Sequence, residues 1–204
     1  MRDPDLASCA RLVDAADGFR RRVERELHEG AQQRLASVVL ALGLAGRSLT
    51  GDAAELVAEA RAEAGLAMAE LRELARDIYP VLLTEAGLGP ALASLTDRCP
   101  VPTVISSVPD RRFAGAVERT CYFVVFEALK DVAGHSSAAR AEVVVRDQGG
   151  QVSVEVSDDG VGGADPDGPG LRVLADRVAA YGGRLRVESR RGGGTRVLAD
   201  VPCA

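Results

Sequence analysis

The chain is predicted to be α+β: an N-terminal antiparallel helical hairpin that pairs into a dimeric four-helix bundle, followed by an α/β sandwich. Three observations predict this. Through roughly the first half, apolar residues recur every three or four positions, the period of a helix with one buried stripe. Beyond residue 98, short runs of alternating character take over, which is the period of strands. Between the two lies CPVPTVISSVP, whose prolines exclude a helix and suggest a strand-like linker. The expected division is therefore 1–97 and 98–204, with a hinge near Cys99 to Pro102.

The elements follow in order. Val23, Leu27, Ala31, Leu35, Val38, Leu42, Ala45 and Leu49 trace one long amphipathic helix. Thr50, Gly51 and Asp52 supply stop and start chemistry, and Leu56, Leu66, Leu71, Leu74 and Ile78 carry a second helix back, to be ended or kinked by Pro80. A shorter segment, GLGPALASL at 87–95, leads into the linker. In the second half a helical run over 116–134 precedes AEVVVRD and VSVEVSD, which alternate like paired strands across a QGG turn. LRVLADRVAAYGG then reads as a helix with a glycine stop, and RLRVES and TRVLADV as closing strands. A two-helix hairpin cannot close a core alone, because each helix covers only part of the other's apolar face. A homodimer joined through residues 14–80 is expected.

Composition narrows the function classes. A net charge of -5 gives no general reason to expect direct nucleic-acid binding or an anionic membrane surface as partner, since both demand a basic face, which only a local patch could supply. Cys9, Cys99, Cys121 and Cys203 lie far apart with no CxxC pair, which fits neither a zinc site nor a disulfide scaffold and suits the reducing cytoplasm. The longest apolar run, VVLALGLAG at 38–46, is too short for a membrane span, and no signal peptide precedes it.

Two groups of residues carry chemistry. In RELHEGAQQRL, residues 25–35, His28 flanks the Leu27 seam, where an imidazole reaches solvent. A lone helical histidine is ordinarily a surface or satisfied residue. Here Glu29 follows directly, and a neighbouring carboxylate can take one ring proton and sharpen the other nitrogen as a nucleophile. Gln33, four residues past Glu29, shares its face and can position a water. The other group is glycine-rich. DDGVGG at 158–163 follows a strand and lets a ligand approach the backbone, although such a run can equally be an ordinary turn. Gly168 and Gly170 precede a helix, as a loop feeding phosphates to a helix N-terminus would. In FEALKDVAGH, Glu127, Asp131 and His135 recur every four residues, on one helical face that offers oxygen ligands and an imidazole to a magnesium-bound nucleotide, or simply faces solvent.

The order E-L-H-E-G-x-Q-Q-R-L resembles the dimerisation and phosphotransfer helix of two-component sensor histidine kinases, in particular the subfamily of nitrate/nitrite sensors. RELARDIYPVLLTEAGLGPAL extends the likeness, and the glycine runs resemble the ATP-binding fold shared with gyrase and Hsp90. The resemblance implies that His28 is the phosphoacceptor, Glu29 the activating acid and Gln33 the residue that orients hydrolytic water during dephosphorylation of the partner. It implies Asp158 as the carboxylate for the adenine amino group, with Gly160 and Gly162 shaping the pocket, Thr195 lining it, and Glu127 and Asp131 holding Mg²⁺. ATP is then the phosphoryl donor and a response regulator with a helix-turn-helix output domain the recipient. The pattern departs from the family on the phosphate side: Asp131 stands for an asparagine, Gly134 for a basic residue and Pro169 for a small residue bearing an N–H. These changes add negative charge and remove donors where a triphosphate would lie. A nucleotide-binding regulatory dimer with weak or no kinase activity is the alternative. A serine kinase of the anti-sigma type is disfavoured by the hairpin.

Overall fold

The computed structural model describes residues 4–78 and 80–203. They form two compact units, one of Ala15–Val81 and one of Leu82 onward together with the first 14 residues.

The helical unit is a hairpin. Helix α1 (Pro4–Arg25) passes into a π-helical segment, Glu26–Gln32, then α2 (Gln33–Ala45) and a single 3₁₀ turn, Gly46–Ser48. Gly51, at φ +66°, turns the chain, and α3 (Asp52–Ile78) opens with Asp52 and Glu55 in its first turn, where carboxylates favour the helix dipole. The helix is continuous as expected, but the π-helical stretch was not. It falls on the HEG sequence, where Gly30 lowers the cost of leaving α geometry. No residue of α2 is buried, and Val38, Leu40, Leu44, Leu56, Leu66 and Leu74 are all exposed. One chain alone thus leaves the apolar seam of the hairpin in water.

The second unit is a two-layer sandwich. Its sheet has the order β1-β2-β3-β5-β4, built from β1 (Thr103–Ser107), β2 (Ala141–Asp147), β3 (Gln151–Asp158), β4 (Arg184–Ser189) and β5 (Thr195–Pro202). Strand β1 runs parallel to β2 and the other pairs are antiparallel. Alternation sends Val152, Val154 and Val156 of β3 and Val197, Ala199 and Val201 of β5 to one face. That face meets α6 (Gly115–Asp131), which buries Val117, Cys121, Val124, Val125, Ala128 and Leu129, and α7 (Pro169–Ala180), which buries Leu171, Leu174 and Val178. Each fully buried valine or leucine among them stabilises the fold by about 2 kcal/mol. The opposite face stays wet and carries linked charges. Glu155 binds Arg196 at 2.8 Å and Arg146 at 3.7 Å, Arg196 also reaches Glu188 at 3.6 Å, and Arg186 binds Asp200 at 2.9 Å.

Packing divides the chain at residue 82 and not at the expected 98. Helices α4 (Val81–Ala86) and α5 (Leu88–Thr96) contribute Leu83, Leu88, Ala91, Leu92 and Leu95 to the core of the sandwich. The stretch after Cys99 joins two elements of the same unit, and part of it is β1, a paired strand. An ion pair between a buried glutamate and an exposed arginine fixes α4. Arg112 grips Glu118 with Nε and Nη2, each at 2.9 Å, while Nη2 also reaches the carbonyl oxygens of Leu83 and Thr84. Glu118 is 1 % exposed and accepts the Phe113 amide proton at 2.9 Å as well. Replacing Glu118 by Ala is expected to destabilise the chain by about 2 kcal/mol, since charged hydrogen bonds are lost and a buried amide is orphaned. A fall in the denaturant midpoint without a change in slope would register it.

Candidate active site

The valine stripes of β3 and β5 do not end in valine. Continuing the inward phase of Val152, Val154 and Val156 brings Asp158, and continuing that of Val201, Ala199 and Val197 brings Thr195. Val156 pairs with Val197 and Ser157 with Arg196, so one further step of register sets Asp158 opposite Thr195. Both line a cavity of about 450 Å³, a size suited to a small-molecule ligand. Its apolar wall comes from Ala128, Val132, Val156, Leu171 and Val197, and its polar rim from Asp131, His135, Asp165 and the Gly168 to Gly170 turn.

Three chain segments interlock around it. The Val161 amide donates to the Ser136 carbonyl oxygen at 2.8 Å, Gly192 donates to Val161 at 2.6 Å, and Gly194 to Gly160 at 2.9 Å. The glycine loop is thereby held between the end of α6 and the β4–β5 turn. Gly160 lies so close to Ser136 that a Cβ there would collide with its carbonyl oxygen. Gly162 is at φ +61° with the Arg190 carbonyl oxygen in its way, so both positions require glycine.

The two adjacent aspartates do different work. Asp158 accepts the Gly160 amide proton on Oδ1 at 2.8 Å, and its Oδ2 has no partner among the described residues. That oxygen is available to a ligand amino group. Asp159 turns outward and is structural. The Arg140 amide foremost, with the Ala139 amide and the Arg140 guanidinium, holds its carboxyl below the usual carboxylate range.

The phosphate-side residues are less uniform. Asp131 and His135 line the cavity, while Glu127 is not among the lining residues and lies 3.8 Å from Lys130 Nζ. After Asp131 the helix widens into a π-helical turn, Val132–Ser136, and ends at Ser137 with φ +49°, so the simple four-residue spacing does not carry through. Gly168 caps α7, but its amide proton goes to the Asp165 carbonyl oxygen at 2.9 Å, and Pro169 has none. Arg172 donates back to Gly168, which leaves the Gly170 and Leu171 amides as the open donors of that helix end. These donors, the free Asp158 oxygen and the apolar slot fit an adenine nucleotide. Among the described residues no group of three or more His, Cys, Asp or Glu is arranged to hold a metal. A magnesium ion would therefore be held mainly by phosphate oxygens and water, as Mg²⁺ ordinarily is beside a nucleotide.

In the helical unit His28 and Glu29 lie within the π-helical backbone segment, and their side chains fall outside the described part. Gln33 opens α2 and is exposed. A π-helical turn bonds i to i+5, so the face shared by Glu29 and Gln33 in an ideal α-helix is not carried over unchanged.

Residues 20–83 match the family model for histidine kinases, and residues 116–204 match the model for histidine kinase-, DNA gyrase B- and HSP90-like ATPases. The chain belongs to the sensor histidine kinases. It is 33% identical over 208 residues to sensor histidine kinase MctS of Rhizobium johnstonii, covering 94% of this chain and 45% of that protein. With the oxygen sensor histidine kinase NreB of Staphylococcus carnosus it shares 28% over 205 residues, 94% of this chain and 58% of the relative. With the nitrate/nitrite sensor protein NarX of Escherichia coli K12 it shares 29% over 188 residues, 86% and 31%. The chain thus spans about half or less of the length of most of these relatives. In fold it resembles the histidine kinase domain of the Erythrobacter litoralis EL346 blue-light activated kinase, at 20% identity and a TM-score of 0.51, covering 84% of this chain and 94% of that one. Among its described residues no helix is long and apolar enough to cross a membrane.

Several residues in or beside the cavity were not visible in the sequence: Ser136, Asp165, Ser189 and the valine walls. Strand phase could have found Val156, Val197 and Ser189. No local signal marked Ser136, whose place follows from the π-helical turn. Burial pushes the Asp131 carboxyl up, against the opposing pull of His135 and Lys130. A carboxyl raised in the folded state favours folding while protonated, and that advantage is lost as pH rises through its folded value. Asp131→Asn should accordingly raise the thermal midpoint slightly at neutral pH, and the gain should vanish as pH falls below the carboxylate range.

Proposed function

We propose that this chain is the phosphotransfer core of a cytoplasmic two-component kinase. Its sandwich binds Mg-ATP, the γ-phosphoryl group passes to His28, and from there to an aspartate of a response regulator with a helix-turn-helix output domain. The observation that carries the reading is the convergence of Asp158 and Thr195, at the ends of two apolar stripes, on a nucleotide-sized cavity beside the open amides of α7.

The chemistry follows from the groups available. The imidazole of His28 forms a P–N bond as the bond between the γ-phosphorus and the bridging oxygen breaks, and ADP leaves with that electron pair. Glu29 accepts the proton of the other ring nitrogen, which keeps the attacking nitrogen nucleophilic. Such transfer depends on positioning and charge neutralisation more than on covalent chemistry by the protein. When bound with the nucleotide, Mg²⁺ would supply part of that neutralisation, with Asp131 offering it an oxygen and Glu127 one turn before it. Gln33 orients water for the reverse task, hydrolysis of the phosphorylated regulator. The exposed seam of α2 and α3 is covered by a second copy of the chain, which completes the four-helix bundle.

A second reading has its own support. The Gly168 amide is already committed, Pro169 offers no donor, and Asp131 and Asp165 stand at the rim. A site built this way favours nucleotide binding over rapid transfer, so the chain would act chiefly as a nucleotide-dependent regulatory dimer.

Incubation with γ-labelled ATP is expected to give acid-labile label on the wild-type chain and none on His28→Ala. Label retained by the variant would refute the phosphoacceptor assignment, whereas ADP binding without any label on the wild type would leave the regulatory dimer. Space around Gly134 is open. Gly134→Lys should therefore fit and restore a cation, tightening ATP binding roughly threefold to fivefold with a steeper salt dependence.

A further inference from the structure

The helical layer of the sandwich grips one carboxylate from far upstream in the chain. Asp14, on α1, belongs to the same compact unit as the sandwich. Its Oδ1 accepts a hydrogen bond from Arg119 Nη2 of α6 at 3.0 Å and another from the Tyr181 hydroxyl, at the end of α7, at 2.9 Å. Ala10 and Ala7, one and two turns before it on the same side of α1, are partly buried, whereas Leu6 and Leu12 are exposed. The side that carries Asp14 is therefore the covered one. Helices α6 and α7 run antiparallel. Asp131 and the Gly168 to Gly170 turn line the cavity at one end of the pair, and Arg119 and Tyr181 meet Asp14 at the other, roughly 17 Å away along each helix.

From residue 15 onward the same helix belongs to the hairpin, and α1 runs unbroken to Arg25, directly before the segment that holds His28. The chain from Leu82 on is joined covalently to the hairpin at one point, after Val81, and the grip on Asp14 is a second, non-covalent joint. With both joints closed the sandwich is pinned twice; with Asp14 released it swings from one. The imidazole of His28 must face the bound nucleotide in one step and the regulator in the next, so the sandwich has to approach and withdraw. We propose that Asp14 is a releasable strap: closed, it restrains the sandwich, and its opening speeds phosphoryl transfer to His28. This rests on the phosphoacceptor reading above. The strap is built to open. The Asp14 side chain is 52 % exposed, and an ion pair so placed is weak and screened by salt. Turning α1 about its own axis by one residue, about 100°, carries the carboxylate away from both donors.

The test swaps the charges. Asp14→Lys, Arg119→Glu and the double variant are compared with the wild type in three measurements: independent tumbling of the sandwich by amide nitrogen relaxation, ADP affinity by calorimetry, and the initial rate of acid-labile labelling from γ-labelled ATP. Each single variant should free the sandwich to tumble on its own and raise the labelling rate roughly threefold to fivefold, with ADP affinity unchanged because the strap is remote from the cavity. The double variant restores a pair of opposite charges and should return tumbling and rate to within about twofold of the wild type. Unchanged tumbling in Asp14→Lys would overturn the strap whether or not the chain takes up label. Freed tumbling with a rate that stays level or falls would overturn its role as a brake. If tumbling responds and ADP binds but no variant takes up label, the phosphoacceptor reading fails while the strap stands. Should Arg119→Glu not fold, Asp14→Asn and Tyr181→Phe weaken the strap from either side and are expected to act in the same direction by a smaller factor.

Discussion

The site depends on three backbone hydrogen bonds. Val161 to Ser136, Gly192 to Val161 and Gly194 to Gly160 tie the end of α6, the glycine loop and the β4–β5 turn into one piece. None of these bonds involves a side chain, which is why the segments must be glycine-rich: a Cβ at Gly160 or Gly162 would occupy the space of the carbonyl oxygen it packs against. Asp158 and Thr195 inherit their placement from this interlock. Their strands bring them to the edge, and the interlock holds the edge still.

Polar function here is grafted onto apolar periodicity. The same alternation that buries Val152, Val154 and Val156 sends Asp158 to the helical layer, and the same alternation in β5 sends Thr195 there. A carboxylate at the end of an inward stripe costs little, because the stripe stops where the cavity begins and water or a ligand can solvate it. Asp159, one residue on, falls on the other face and becomes a brace for the Ala139 and Arg140 amides.

Hydrophobic period alone made most of the fold legible. The hairpin, four of the five strands, and the helices before and after the central β-hairpin all lie where alternation or helical spacing put them. The proline-bearing stretch was legible as strand-like but read as a linker, whereas Thr103–Ser107, short and exposed, pairs in parallel with β2 as a member of the sheet. The position of the domain boundary was misplaced for a related reason. Leu83, Leu88 and Leu92 look like more of the same helical pattern, and only their packing against α6 assigns them to the sandwich. At the site, Asp158, Thr195, Asp131 and His135 were readable because each sits in a local motif. Ser189 and Ser136 were not, because their importance arises from contacts with residues distant in sequence, and the two π-helical segments leave no compositional mark beyond a glycine.

The charged face of the sheet has a consequence for how this unit lives in solution. Helices cover only one side, so the bare side would be an adhesive surface if it were lined with valine. Glu155 instead neutralises an arginine on each flanking strand, and the hydrogen bond from Arg196 foremost, outweighing the opposing effect of burial, holds its carboxyl below the usual carboxylate range. Opposite signs alternate across β2, β3, β5 and β4, so a second sheet laid on this face would have to strip water from every pair at once. The fold thereby reserves docking for its helical layer and its loops, and the sheet serves as an inert back.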